Sequence, residues 1–322
     1  MGEELLYRTY QEGDEHGILE LFKEVFGHDL TLSLWEWKYR LAPGGGPRVA
    51  VAQEAGGRIV AAYNVISLPA VIRGEAGTMG QCVDIMVHPK HRGRFLKQGV
   101  LLKTFGSFCD AYKGKGIDFL YGFPGKRHWI LGQRTKIYYG GGQIPFFKKG
   151  PVRQRFSTRL RFGFRPVEGD GFEVFDRLWD MVKGVFRTGV VRDGSYVRWR
   201  YTLHPKWGYS LFLLSKRGGG PVGWCALKHE EGETKLMDFL VPHGLFPVLM
   251  EKVEEVAVLA GSKVVSVAVP EEGVWASSLF SLGYRNEPTD LYFTTSFMGD
   301  PPPWADQQVG EVFYTMGDMD IF

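Results

Sequence analysis

The chain lacks the features of metal-bound, disulfide-rich and membrane-spanning proteins. Only three of its 322 residues are cysteine, Cys82, Cys109 and Cys225, with no C-x-x-C pair and no histidine at ligand spacing. No apolar run approaches the roughly 18 residues of a spanning helix, and the start, MGEELLYR, is acidic where a signal peptide is basic and then apolar. The sequence therefore predicts no metal site, no membrane span, buried thiols and a cytoplasmic location.

Two familiar nucleotide-binding motifs are also missing. The chain has no G-x-x-x-x-G-K-[ST] and no G-x-G-x-x-G opening a helix. The absence of both motifs argues against a P-loop and against a dinucleotide-binding turn. Any site that binds a phosphate group must therefore be built differently.

Charge is nearly balanced over the whole chain but not along it. The formal net charge is +3, yet residues 1–165 hold 25 Lys and Arg against 14 Asp and Glu, and the remainder holds 14 against 22. A basic part suits an anionic cofactor or nucleic acid, whereas an acidic part could attract a cationic amine. The densest basic segment, residues 148–165, is interpreted as a solvated linker hairpin. Nucleic-acid binding is not expected, because no recognised module accompanies the charge.

The most informative stretch is residues 81–124, which reads as strand, basic turn, helix and strand. Val83, Ile85 and Val87 alternate with polar or bulky neighbours until Pro89 ends the strand. Apolar residues then recur at three- and four-residue steps from about Arg94, which predicts an amphipathic helix of roughly five turns. A second apolar run, residues 117–123, has the length of a strand.

The turn before that helix is rich in cations. It contains Lys90, His91, Arg92, Gly93, Arg94 and Lys97. Free amides in a first helical turn, the helix dipole and arginine side chains together suit an anion, although a solvated helix start remains an alternative.

These residues resemble a family. VDIMVHPKHRGR at 83–94 is similar to the coenzyme A signature of the GNAT superfamily of acyl-CoA-dependent N-acyltransferases, a strand followed by V-x-P-x-x-R-G-x-G and a helix. IDFLYGFPG at 117–125 resembles the following strand, in the Y-G-F-P form of one subgroup of large bacterial members. Phe95 and Lys97 depart from the signature, standing where a glycine and a small residue are usual. The resemblance implies an α/β fold with central mixed sheets flanked by helices.

The resemblance also implies a cosubstrate and its site. Acetyl-CoA would bind with its pyrophosphate on the amides of the basic turn. The residues expected to bind it are Met86, Val87, Arg92, Gly93, Arg94, Phe95, Leu96, Lys97, Gln98 and Phe123.

Three residues are candidates for proton transfer. Asp84 is the only carboxylate on the central strand just before the turn, so it is the candidate base, with a role in capping a neighbouring loop as the alternative. Family members usually carry, on the helix after the second strand, a tyrosine whose hydroxyl can protonate the departing thiolate. No tyrosine lies between Gly125 and Ile137. Tyr138 and Tyr139 are the nearest, so the general acid stays unassigned.

The second half of the chain resembles the first. Trp37-Lys38-Tyr39 matches Trp199-Arg200-Tyr201 at an offset of 162, and Val83-Asp84 resembles Met237-Asp238. We therefore predict two tandem GNAT-like domains, residues 1–150 with the coenzyme turn and residues 151–299 without it, so that only the first binds coenzyme.

Residues 300–322 are predicted to be a proline linker and a strand at VFYT. Alternatively, Asp318, Asp320 or the Phe322 carboxylate reaches the active site.

The predicted function is N-acetyl transfer from acetyl-CoA to a primary amine of a small molecule. An amino sugar of polysaccharide or envelope biosynthesis is the first choice, because the resembling subgroup often serves those pathways. The alternatives are a Fem-type aminoacyltransferase that uses aminoacyl-tRNA, motivated by residues 148–165, and a non-catalytic coenzyme-binding or sensor protein. The sequence leaves the oligomeric state open.

Overall fold

A computed structural model describes residues 4–92, 99–152, 161–169, 171–303, 305 and 311–320. The expected cofactor residues Gly93 to Gln98, part of the basic segment at 148–165, and Phe322 lie outside these ranges. The chain divides into two compact units. Unit 1 takes residues 1–70, 76–141 and 293–309, and unit 2 takes residues 71–75, 142–292 and 310–322.

The first half of the chain opens with a strand and two helices. Helix α1 buries Ile18, Leu21 and Phe22 along one face, and α2 begins where the Thr31 side chain accepts a hydrogen bond from the Leu34 amide. The elements are β1 (Leu6–Thr9), α1 (Asp14–Phe26), α2 (Leu32–Tyr39), β2 (Arg48–Gln53), β3 (Ile59–Ile72), β4 (Glu75–Val87), α3 (Val100–Tyr112), β5 (Phe119–Gly122), α4 (Lys126–Thr135) and β6 (Tyr139–Lys149).

The second half repeats this alternation of strands and helices. Its longest helix begins with a proline at the first turn, where a missing amide donor costs nothing. The elements are β7 (Phe162–Pro166), α5 (Glu173–Val182), β8 (Gly189–Val190), α6 (Gly194–Val197), β9 (Ser210–Lys216), β10 (Pro221–Glu230), β11 (Glu233–Leu240), α7 (Phe246–Leu259), β12 (Val264–Ala268), α8 (Val274–Ser281) and β13 (Arg285–Ser296).

Each unit contains a mixed sheet with the same internal order. In unit 1 the order is β1-β2-β3-β4-β5, followed by residues 293–296 of β13, and in unit 2 it is β7-β9-β10-β11-β12-β6. Strands β4 and β5 pair in parallel, as do their counterparts β11 and β12. The next strand of each sheet, β13 beside β5 and β6 beside β12, is antiparallel to its neighbour. The predicted fold class, α/β with mixed sheets flanked by helices, is confirmed.

The last strand of each half lies in the other unit. Strand β6, which ends the first half, pairs through residues 146–149 with β12 in unit 2, and β13 pairs with β5 in unit 1. Neither unit is therefore a single consecutive segment of the chain.

The C-terminal segment differs from its prediction. VFYT at 312–315 makes one isolated bridge, between Thr188 and Val312, instead of a strand. The chain then turns through Met316–Asp318, because the Asp318 carboxylate accepts the Thr315 amide and the Thr315 hydroxyl accepts the Gly317 amide. These local bonds take donors and acceptors that a strand would have used.

No helix within the described ranges is long and apolar enough to cross a membrane.

Candidate active site

A cleft opens in unit 1 where the two parallel central strands stop pairing. The ladder between β4 and β5 runs from Met79 and Phe119 to Cys82 and Gly122, whereas β4 continues to Val87. Beyond this point lies a cavity of about 460 Å³, within the size range of small-molecule sites. Its apolar lining comes from α1, β4, α3 and α4 and includes Phe26, Ile85, Val87, Leu101 and Leu131.

The central strand β4 is irregular just before this cavity. Asp84 has a φ of 46°, in the left-handed region that Asp tolerates better than most residues. Cys82 and Ile85 both pack against the core cluster that contains Tyr63 and Phe108. A regular strand would send these two residues to opposite faces, so an extra residue is accommodated between them, as in a β-bulge.

Asp84 is held by the helix α2. Its Oδ2 accepts a hydrogen bond from Lys38 Nζ at 2.9 Å and another from the Tyr39 hydroxyl at 2.7 Å. The side chains of Lys38 and Asp84 are only 6% and 9% exposed, and Asn64 donates to the Asp84 carbonyl. The candidate base is thus one member of a largely buried ion pair.

Two arginines from separate elements line the cavity. Arg92, from the turn after β4, donates from Nε to the Val87 carbonyl at 2.9 Å, which anchors the guanidinium and leaves its two amino groups without a partner among the described residues. Arg127 lines the cavity from the first turn of α4. His91 also lines it but bonds to Glu54 at 2.8 Å.

Tyr138 lies behind the cavity wall and His128 forms part of that wall. The Tyr138 hydroxyl is 3.2 Å from His128 Nε2. Burial raises the pKa of Tyr138 and lowers the pKa of His128, so both groups are neutral at pH 7. No described residue hydrogen bonds to the other ring nitrogen, Nδ1.

The remaining predicted residues are less closely associated with the cavity. Tyr139 accepts the Thr295 hydroxyl at its carbonyl and packs its ring on Phe297, with centroids 5.6 Å apart. Met86 is buried, and the Phe123 ring packs on Phe293. Of the predicted cofactor residues that are described, Val87 and Arg92 line the cavity.

Unit 2 contains a counterpart of the Asp84 cluster. Tyr201 donates to Asp238 Oδ2 at 2.9 Å, which reproduces the Tyr39 to Asp84 bond. Here Arg192 also pairs with Asp238, at 2.8 Å, and with Asp318, at 2.5 Å. Asp318, predicted as an alternative active-site carboxylate, is therefore an ion-pair partner buried within unit 2.

The sequence does not single out Lys38 or Arg127. The W-[KR]-Y repeat, with an aspartate following in each half, was the available signal for the Tyr39 to Asp84 bond. Arg127 lies in a run of polar residues, and nothing local distinguishes it from Lys126. Among the described residues, no three His, Cys, Asp or Glu side chains come together as a metal ion would require.

Part of the chain, including this cleft, matches a family model. Residues 6–132 match the model described as an acetyltransferase (GNAT) domain. The match includes all of β4, the basic turn, α3, β5 and most of α4. No curated protein matches the chain significantly in sequence.

Solved structures share the fold over most of the chain. A probable N-acyltransferase from Enterococcus faecalis has a TM-score of 0.70 at 10% identity, over 95% of this chain and 74% of that one. The GCN5-related glucosamine N-acetyltransferase region of a fungal GH3 β-N-acetylglucosaminidase scores 0.61 at 13%, over 92% and 38%. Saccharomyces cerevisiae N-myristoyltransferase with bound myristoyl-CoA scores 0.59 at 10%, over 100% and 88%.

Proposed function

We propose that the chain is a coenzyme A-dependent N-acetyltransferase whose active site is the cleft of unit 1. The observation that carries the proposal is the end of β4/β5 pairing at Cys82 and Gly122, beside a cavity flanked by Arg92 and Arg127 and inside a matched GNAT domain. The similarity to an N-myristoyltransferase solved with myristoyl-CoA supports an acyl-CoA donor.

The residues present suit coenzyme A, whose role is to supply an acyl thioester. Arg92 is pre-oriented by its bond to Val87 and, with Arg127, offers charge-assisted hydrogen bonds to phosphate groups. The apolar lining between them suits the less polar arm of the molecule.

The backbone of β4 offers a further contact. The His88 amide donates to the Val60 carbonyl, toward β3. Since successive strand amides point to opposite edges, the Val87 amide points toward the edge where β5 no longer pairs. A donor at this position can stabilise negative charge that develops on a thioester oxygen.

For the acceptor, we propose a primary amine of a small molecule, with an amino sugar as the first candidate. The support is the fold similarity to a fungal glucosamine N-acetyltransferase region. Incubation with acetyl-CoA and glucosamine, followed by mass spectrometry of the products, tests this choice against a panel of other amines.

We also propose that the two halves arose by duplication and that only unit 1 binds coenzyme. Their strand orders correspond, and the Tyr–Asp hydrogen bond occurs in both units. In unit 2 the turn before α7 is His243–Leu245, which carries no arginine or lysine.

Binding of acetyl-CoA, measured by calorimetry, tests the site. Arg92→Glu and Arg127→Glu should each weaken affinity by about ten- to a hundredfold, since a charge-assisted hydrogen bond contributes about 1.5–3 kcal/mol. Arg134→Glu is the matched control, because this residue lies on α4 with Arg127 but is not among the described residues that line the cavity.

Equal effects of all three substitutions would indicate a general electrostatic attraction instead of a site. Unchanged affinity in Arg92→Glu and Arg127→Glu would place the coenzyme elsewhere. A wild-type protein that does not bind acetyl-CoA would contradict the proposed function itself.

A further inference from the structure

The cavity wall contains one nitrogen whose chemistry is otherwise unassigned. His128 is on the first turn of α4, its Nε2 lies 3.2 Å from the Tyr138 hydroxyl, and its Nδ1 has no hydrogen-bond partner among the described residues. An imidazole lining a cavity with one nitrogen fixed and the other available is the usual arrangement of a proton-transfer group.

We propose that His128 carries the proton from the acceptor nitrogen to the thiol sulfur during acyl transfer. The inference rests on the proposed function. The C–N bond forms as the C–S bond breaks, so the nitrogen must lose one proton and the sulfur must gain one. His128 takes the first at Nδ1 and delivers it to the sulfur, so the imidazole is neutral before and after the reaction.

The surroundings of His128 fit this cycle. Burial lowers its pKa, so the ring is neutral and able to accept a proton at pH 7. Tyr138 keeps its proton because burial raises its pKa, and its oxygen can accept the Nε2–H bond whether the ring is neutral or charged. Tyr138 is therefore a positioning residue: in the tautomer that carries its proton on Nε2, the Tyr138 oxygen accepts this hydrogen bond, and Nδ1 is unprotonated for the reaction.

Among the described residues, the titratable groups that line the cavity with His128 are Arg127, its neighbour on α4, and His91 and Arg92 from the turn after β4. Cys82 lies close enough to Tyr138 to contribute to its raised pKa. Burial favours the neutral ring between turnovers, so an imidazolium formed during the reaction is a ready proton donor to a thiolate.

Nuclear magnetic resonance of ¹⁵N-histidine-labelled protein tests the inference without an acceptor. Coenzyme A and its desulfo analogue, which lacks the thiol, are added in parallel, and His128→Gln assigns the signal. We expect coenzyme A to shift the His128 Nδ1 resonance and desulfo-coenzyme A to shift it much less. Equal shifts, or none with coenzyme A bound, would overturn the relay.

Kinetics give a second, independent readout. In acetyl transfer to glucosamine, His128→Gln should lower kcat by about a hundredfold or more, with the affinity for acetyl-CoA within about threefold and the acidic limb of the rate profile removed. Tyr138→Phe should have a smaller effect. Full activity of His128→Gln would refute the relay and leave the proposed function standing, whereas absence of coenzyme binding in the wild type would refute both.

Discussion

Asp84 and Lys38 form a charge pair that water scarcely reaches. Both oppositely charged groups are less than a tenth exposed, and the Tyr39 hydroxyl adds a second donor to the same carboxylate oxygen. A buried pair of this kind is costly to break, because the remaining ion keeps its desolvation penalty and loses its partner. The same side chain can therefore serve stability, catalysis or both.

We expect Asp84→Asn to lower the free energy of unfolding by about 3–5 kcal/mol, since Lys38 would be left buried beside a neutral amide. Urea denaturation at pH 7 measures this. The matched control is the double substitution Asp84→Leu with Lys38→Met, which removes both charges and should cost much less.

The double variant also tests the base role that the sequence predicts for Asp84. A folded double variant that binds acetyl-CoA but transfers the acetyl group a hundredfold more slowly would support that role and contradict proton removal by His128 alone. Normal turnover would make Asp84 a purely structural partner of Lys38 and Tyr39.

Burial of His128 makes stability depend on pH. A histidine with a lowered pKa in the folded state binds fewer protons there than in the unfolded chain, where the pKa is about 6.5. Its destabilising effect is therefore absent well above pH 6.5 and grows as the pH falls from there toward the folded-state pKa.

We expect the wild type to lose thermal stability between pH 7.5 and pH 5.5 more steeply than His128→Gln does. Scanning calorimetry in matched buffers measures the two profiles. His229→Gln is a useful comparison, since burial lowers the pKa of that residue too, and the two contributions should add. Parallel profiles for wild type and His128→Gln would contradict the assignment of the buried neutral ring.

At the scale of single elements, helix α4 is positioned by close contact between its residue Gly132 and Tyr138, which lies just beyond the end of the helix. Gly132 lies against the Tyr138 ring so closely that an added Cβ would overlap ring atoms. The glycine lets Tyr138 sit under the helix and reach His128. By contrast, a Cβ on Gly106 in α3 would meet nothing within 4 Å.

Gly132→Ala should therefore destabilise the protein by about 1–3 kcal/mol and shift the His128 side-chain resonances, because Tyr138 must move. Gly106→Ala is the matched control and should be neutral or stabilising by up to about 1 kcal/mol, because alanine has the higher helix propensity. If Gly132→Ala were as stable as the wild type with unchanged resonances, the packing around Tyr138 would be wrong.

The sequence predicts best the elements in which apolar residues recur at a clear spacing. Strands β4 and β5 are confirmed, because apolar runs of strand length predict them, although the irregularity at Asp84 breaks the alternation expected in β4. The prediction of a strand at 312–315 is wrong, because Thr315 and Asp318 satisfy the backbone locally.

The site is harder to predict, because its members come from separate elements. Arg92 and Val87 follow from the motif and line the cavity, whereas Arg127 arrives from a helix whose register no short-range pattern fixes. The exchange of β6 and β13 depends on pairings between residues more than a hundred positions apart, which a single sequence does not encode visibly.

At the scale of the whole molecule, the two units share a strand order but differ around the central aspartate. In unit 2 the C-terminal segment reaches this position: Thr315 donates to Asp238, and Gly317 lies against the Tyr201 hydroxyl. A turn without arginine or lysine precedes α7. The turn before α7 thus lacks the cations of the turn after β4, and the position next to Asp238 is occupied by the C-terminal segment.

We expect calorimetric titration with acetyl-CoA to give one site per chain. Arg127→Glu should weaken that one site without revealing a second. A stoichiometry of two would contradict the assignment of coenzyme binding to unit 1 alone.

The strand that completes unit 1 is made very late during synthesis. Strand β5 leaves the ribosome with residue 122, but its neighbour on the open edge, residues 293–296, follows only after almost all of the second half has been translated. Until then β5 presents unpaired backbone groups to other nascent chains. The open edge of β5 is therefore covered last, and a chain whose synthesis stops before residue 293 keeps an exposed strand edge in unit 1.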